Sequence, residues 1–254
     1  VGVDRRGVAA EASGLNAGII GGGGWGDAPD IDVALKMGSR DRFVDLASRG
    51  HDIGLDLTGT LTMVRTPEEW RWATSVVEAE VQQGRVLELL STRELLALEP
   101  AADPGLLGAV LDPLGARAEP VAATNAFAEE ARAAGAEFEL GREVQALRRV
   151  GDGWEVDTTG STQGDREARQ STEGATETLR TDAVVIAAGA WTARLAALAG
   201  VTVPIVAVRG QMWASKACPP MLRHAIVAAE SMAHWSAAPT ADGGPPELTH
   251  RGGR

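Results

Sequence analysis

The 254-residue sequence holds a single cysteine, Cys218. One thiol cannot build an internal disulfide framework or a cysteine-rich zinc site. It fits a reducing compartment, so a cytoplasmic location is expected. Long apolar runs are missing too: no stretch approaches the ~18 residues that read as a membrane-spanning helix. Positive charge is scarce. Lys and Arg number 24 against 35 Asp and Glu, a net charge of −11 that repels a phosphate backbone on average and argues against nucleic-acid binding. His51, His224, His234 and His250 have no metal-site spacing, and neither a Gly-x-Ser-x-Gly elbow nor a Lys-bearing phosphate loop is present. No basic-then-apolar leader opens the chain; it starts at Val1, and its first residues read as the inside of a domain.

What is present reads as an ordinary globular α/β chain, 44% hydrophobic and 23% charged, long enough for one large domain or two that share a core. Val1, Gly2, Val3 and Asp4 suggest the end of a strand followed by a turn. Residues 9–26 are small and glycine-rich, which lets backbone approach a ligand closely. A helix is expected over 31–48, paired strands over 54–65, and helices after the capping boxes Thr66-Pro67-Glu68-Glu69 and Ser91-Thr92-Arg93-Glu94. A strand near 106–111, a helix over 121–134 and a hairpin around Gly151-Asp152-Gly153 follow. Residues 159–180 read as a polar surface excursion. The unbroken apolar run 183–188 reads as a strand buried on both faces, and 204–213 as another strand. Trp70 and Trp72 are expected to pack a helix rather than stack on bases.

Gly21, Gly23 and Gly26 match Gly-x-Gly-x-x-Gly, but Pro29 opposes a helix directly after Gly26, so a plain glycine loop is the better reading. The order of other features is more telling. A strand ending in an acid, as at Asp4, is how a Rossmann unit holds an adenosine ribose through its hydroxyls.

Asp4-Arg5, the run Ala12-Ser13-Gly14-Leu15-Asn16-Ala17-Gly18, the late strand through Ala187-Ala188-Gly189-Ala190-Trp191, and the segment from Pro204 through Arg209-Gly210-Gln211-Met212 occur in this order. Together they resemble the FAD-dependent amine and amino-acid oxidases, the D-amino-acid oxidase superfamily, on the branch with glycine oxidase and sarcosine oxidase. The resemblance covers about residues 1 to 216 and lapses beyond about 225. It implies an incomplete FAD-binding Rossmann-type domain, 1–53 with 135–200, interleaved with an α+β substrate domain, 54–134 with 201–227, and an unpatterned tail over 228–254.

By that resemblance Asp4 binds the ribose with Arg5 beside it. Ala12, Ser13, Ala17, Gly18 and Ile19 line the pyrophosphate and flavin, and Val144 meets the adenine. Ala188, Gly189 and Trp191 close over the cofactor. Asn16 stands where some relatives carry a flavin-linked histidine, so FAD is expected to be non-covalent. The implied reaction is oxidation of the C–N bond of a small amino acid or secondary amine, with hydride passing to the flavin. No catalytic residue is assigned; Arg209 reads as structural rather than as the clamp on the substrate carboxylate. The strand and glycine fingerprint that precede the acid in the family, and the family's final portion, have no counterpart here, so an internal fragment is expected. Three alternatives stay open: a non-catalytic remnant that binds FAD weakly or not at all, a nicotinamide enzyme using Gly21 to Gly26, and a homo-oligomer rather than a monomer.

Overall fold

In a computed structural model, residues 1–21, 30–160, 176–213, 216, 219 and 221–229 are described. In chain order the elements begin with β1 (Gly2–Asp4), β2 (Ile19–Ile20), α1 (Asp30–Ser48), β3 (Thr60–Val64), α2 (Pro67–Gln82) and β4 (Glu88–Ser91). Next come α3 (Thr92–Leu98), β5 (Gly108–Asp112), β6 (Ala116–Arg117), α4 (Pro120–Ala133) and β7 (Phe138–Leu140). The rest are β8 (Arg142–Val150), β9 (Gly153–Gly160), β10 (Thr176–Thr181), a 3₁₀ turn Gly189–Trp191, α5 (Thr192–Leu198) and β11 (Ala225–Ala228). They form two compact units, Val1–Ala17 with Glu119–Ala214 and Gly18–Ala118 with Ser215–Arg254. The changeover at 17/18 falls just before β2, which pairs antiparallel with β6 of the second unit, whereas the sequence places its first functional boundary at 53/54.

The second unit is built on a four-stranded sheet in the order β11-β3-β5-β4, with β11 parallel to β3 and the other pairs antiparallel. All five residues of β3 are buried, as a central strand covered on both faces requires. Side chains alternate across it. Leu61 and Met63 join Leu90, Ala109 and Leu95 of α3 on one face; Val64 joins Val110 and Ala73 of α2 on the other, with Trp70 and Trp72 packed against that cluster. Each fully buried leucine contributes about 1.5–3 kcal/mol. Both helices start as their sequences specify. Thr66 Oγ1 accepts from Glu69 N at 3.1 Å and Glu69 Oε2 accepts from Thr66 N at 3.4 Å, with Pro67 in the first turn. Ser91 and Glu94 repeat the exchange at 3.4 and 2.8 Å. Gly108 is required at the centre, because a Cβ there would lie 2.0 Å from the Leu90 carbonyl and 2.7 Å from the Trp70 ring.

Glu99, fully buried just past α3, fastens β11 to this unit. Its Oε1 accepts from Arg223 N at 2.8 Å and His224 N at 2.7 Å and lies 2.6 Å from His224 Nδ1. Burial pushes this carboxyl up, but the hydrogen bonds from His224 and Arg223 outweigh it and hold it below the ordinary glutamate range.

In the first unit β1 pairs in parallel with β7, Gly2 opposite Phe138 and Asp4 opposite Leu140. Strands β8, β9 and β10 form a separate antiparallel sheet that turns at Gly151. Buried Arg142 joins its strands, donating to Thr158 Oγ1 at 2.9 Å and Glu177 Oε2 at 2.8 Å. Among the described residues no helix is long and apolar enough to cross a membrane.

Four expectations need correction. Residues 183–188 form no strand and Val185 is 89% exposed, because no strand among the described residues lies beside them and β1 pairs only with β7. Residues 204–213 are likewise unpaired, with Val206 and Trp213 exposed. Of 54–65 only β3 is a strand; Asp56 instead makes a single bridge and an ion pair with Arg117. The end of the supposed polar excursion is β10, an edge strand whose Thr178 and Arg180 bond to Asp157 and Glu155 of β9. The Gly21 to Gly26 motif, beyond Gly21 itself, lies outside the described residues.

Candidate functional site

A cleft of about 350 Å³ opens at the carboxyl ends of β1 and β7. Its floor includes Asp4 and Leu140, one wall is the loop from Gly7 to Ser13, and the other holds Thr124 and Phe127 of α4 with Phe138 of β7. Position follows from chain direction: parallel strands deliver their last residues to the same edge, where open α/β sheets bind ligands. Gly2 permits the close pairing, since a Cβ there would meet the Phe138 ring at 3.0 Å.

Asp4 is exposed, and its Oδ1 accepts from Arg6 N at 2.7 Å and Gly7 N at 2.9 Å. This fixes the carboxylate without using it up: among the described residues Oδ2 has no protein partner. The loop beyond is a tight coil. Gly14 N and Leu15 N donate to the Glu11 carbonyl, and Asn16 Nδ2 donates to Ala12 O at 3.0 Å and Ser13 O at 2.8 Å. The N–H groups of Ala12 and Ser13 have no acceptor among the described residues. Thr124 Oγ1, 3.3 Å from Ser13 O, ties the loop to α4.

Arg5 points elsewhere. Its Nη2 is 2.7 Å from Glu11 Oε1 and its guanidinium carbon lies 4.0 Å from the centre of the Trp191 ring. The hydrogen bond from Arg5 holds the Glu11 carboxyl below its ordinary range. Trp191 ends the 3₁₀ turn that begins at Gly189, whose φ of +51° suits glycine, and its N–H donates to Ala188 O at 2.9 Å.

Of the residues singled out in the sequence, Asp4 and Ser13 line the cleft, with Ala12 beside them in the loop, while Arg5 and Trp191 stack. Val144 sits half-buried in β8 opposite Thr158, at a bulge, and β8 packs beside β1. Ala17 ends the first stretch of the first unit; Gly18 and Ile19 belong to the second, where Gly18 O accepts from Ala118 N at 2.9 Å. Sequence reasoning missed Phe127, Phe138 and Glu11. Phe138 stands opposite Gly2 only through the parallel pairing of β1 with β7, so no local signal in the sequence marks it. Among the described residues no cluster of His, Cys, Asp and Glu is placed to hold a metal ion.

Comparison with known proteins bears directly on this geometry. Residues 1–245 match the family DAO, described as FAD dependent oxidoreductase. Glycine oxidase of Geobacillus kaustophilus is 29% identical over 233 residues, 85% of this chain and 55% of that protein. Its crystal structure superposes with a TM-score of 0.73 at 26% identity, covering 89% of this chain and 58% of the other. One polypeptide of the anaerobic glycerol-3-phosphate dehydrogenase of Escherichia coli K12 is 25% identical over 210 residues, 83% of this chain and 36% of that protein. An L-alpha-glycerophosphate oxidase from Mycoplasma pneumoniae, solved with FAD bound, shares the fold with a TM-score of 0.68 at 18% identity, over 95% of this chain and 62% of its own. The chain thus spans about half the length of glycine oxidase, and about a third of the dehydrogenase polypeptide.

Proposed function

Because the chain belongs to the DAO family of FAD-dependent oxidoreductases, we propose that its first unit holds the adenosine and pyrophosphate end of FAD non-covalently, in a protein that oxidises the C–N bond of a small amino acid or secondary amine. The observation that carries this reading is the Asp4 carboxylate at the end of β1 and at the cleft, with one oxygen fixed by two backbone N–H groups and the other without a protein partner among the described residues. That unclaimed oxygen suits a ribose hydroxyl. The unclaimed N–H groups of Ala12 and Ser13 suit phosphate oxygens, and side chains this small leave the backbone accessible. Phe127 and Phe138 give the cleft an apolar wall fit for a base. In the same reading Ala17 continues the backbone lining, Val144 meets the adenine, and Ala188 and Gly189 close over the group.

Bound FAD supplies a two-electron acceptor for hydride from the carbon bearing nitrogen. The chain's own part is to bind and orient: Asp4 accepts from the ribose, the coil from Gly7 to Asn16 presents N–H donors, and α4 with β7 excludes water from one side. The preference for nitrogen substrates is supported by the likeness to glycine oxidase; the glycerol-3-phosphate relatives make C–O oxidation the competitor.

A second reading rests on 183–188, unpaired among the described residues and with Val185 exposed: this chain by itself holds FAD weakly or not at all. Titration of the purified chain with FAD, followed by flavin fluorescence, decides between them. Saturable binding supports the first reading, and no uptake supports the second. Asp4→Ala should weaken binding by about 1.5–3 kcal/mol, the loss of a hydrogen bond to a charged group; undiminished affinity would remove Asp4 from the site. Anaerobic bleaching of the flavin by glycine or sarcosine, and not by glycerol 3-phosphate, is the expected substrate result.

A further inference from the structure

We propose that Arg5 is a positioning residue: it clamps the Gly189–Trp191 turn to the end of β1 by stacking on Trp191, and does not itself touch the cofactor. Its relevance to FAD rests on the function proposed above, but the clamp is a property of the chain alone. The sequence sets Arg5 beside Asp4 as a cofactor ligand. In the structure its guanidinium is already engaged on an edge and a face, with Glu11 Oε1 at 2.7 Å and the Trp191 ring centre at 4.0 Å from its carbon. Arg6 Nη1 approaches the same Glu11 oxygen at 3.4 Å. The Arg5 side chain is only 22% exposed, so its stem is packed rather than free to swing toward a ligand.

The segment it holds needs holding. Among the described residues 183–188 gain no ladder hydrogen bonds, so sheet pairing does not fix where the following turn lies. The helix after the turn packs against β8 and buries Ala196, and among the described residues two polar side-chain links tie the turn and that helix to the rest of the unit. One is Trp191 on Arg5; the other is Arg194 to Glu143, a longer and more exposed pair at 3.4 Å. A guanidinium is suited to the first, because its plane offers a flat cation to the indole while its edge donates to a carboxylate. Glu11 sits in the small-residue loop. One arginine therefore connects the end of β1, the loop with the unclaimed N–H groups, and the Ala188–Gly189 corner.

The test uses the full chain with Arg5→Met, Trp191→Phe and Trp191→Leu, with Arg5→Met plus Trp191→Phe for the emission subtraction, and with the double variant Arg5→Met plus Trp191→Leu for the affinity comparison, each checked for native circular dichroism. The first readout needs no FAD. Subtracting the spectrum of Trp191→Phe from that of the parent isolates the Trp191 emission, and the same subtraction in an Arg5→Met background should give a shifted band. An unchanged band overturns the clamp. The second readout is the FAD dissociation constant. Arg5→Met and Trp191→Leu should each weaken binding about fivefold to thirtyfold, the range of a partly desolvated cation–aromatic contact. The double variant should be no worse than either single one, and Trp191→Phe should recover most of the affinity. Multiplying losses in the double variant would mean that Arg5 contacts the cofactor directly, and would overturn the proposal. If the parent chain takes up no FAD, the functional reading falls while the emission result still decides the clamp.

Discussion

Gly14 lies so close to the start of its own coil that a Cβ would sit 1.9 Å from the Ala9 carbonyl oxygen, and Ala9 itself holds a φ of +58°. Gly14→Ala must displace the loop that carries Ala12 and Ser13, so it should cost on the order of 1–3 kcal/mol by urea denaturation and weaken FAD binding with it. Ala9→Gly is the contrasting case. It removes about 1 kcal/mol of left-handed strain and adds a similar cost in chain entropy, so the denaturation midpoint should barely move. Glu99 makes a pH prediction. Its carboxyl is held below the ordinary range in the folded state, so its contribution is fully present above the unfolded glutamate value and is lost as pH falls through the depressed folded one. Thermal melts between about pH 7 and about pH 3 should show an acid-side loss of stability that is smaller in Glu99→Gln. The remainder belongs to other carboxyls held low, such as Glu11 and Asp157, each hydrogen-bonded by an arginine.

At the level of elements, what could be read in advance is what short-range chemistry decides. The capping boxes at Thr66 and Ser91 involve residues three apart, and both form. Ser91→Ala should cost about 1 kcal/mol in the same denaturation assay. Strands are less legible, because a strand is a relation between distant segments. The Val184-Val185-Ile186 run has the composition of a buried strand and lacks a strand neighbour among the described residues, whereas polar Thr176–Thr181 becomes one because β9 offers it an edge. The site divides the same way. Asp4 and Ser13 can be found from a contiguous motif, but Phe138 enters only through its parallel pairing with Gly2, and Glu11 only through the ring and guanidinium it helps to align.

Over the whole molecule, the two units differ in how completely they satisfy their own strands. The second has a four-stranded sheet covered on both faces of β3, with β11 fastened by Glu99. The first leaves an apolar stretch open to solvent, and Val185→Lys should therefore change stability by less than about 0.5 kcal/mol, where a buried strand position would lose several times that. That stretch has a practical consequence. Val185, Val206, Val208, Met212 and Trp213 expose greasy surface together with backbone that joins no ladder among the described residues. Such material is sticky. Light scattering should grow with protein concentration and fall with a mild detergent, so a flavin titration run at high concentration would report on clumped chains rather than on single ones.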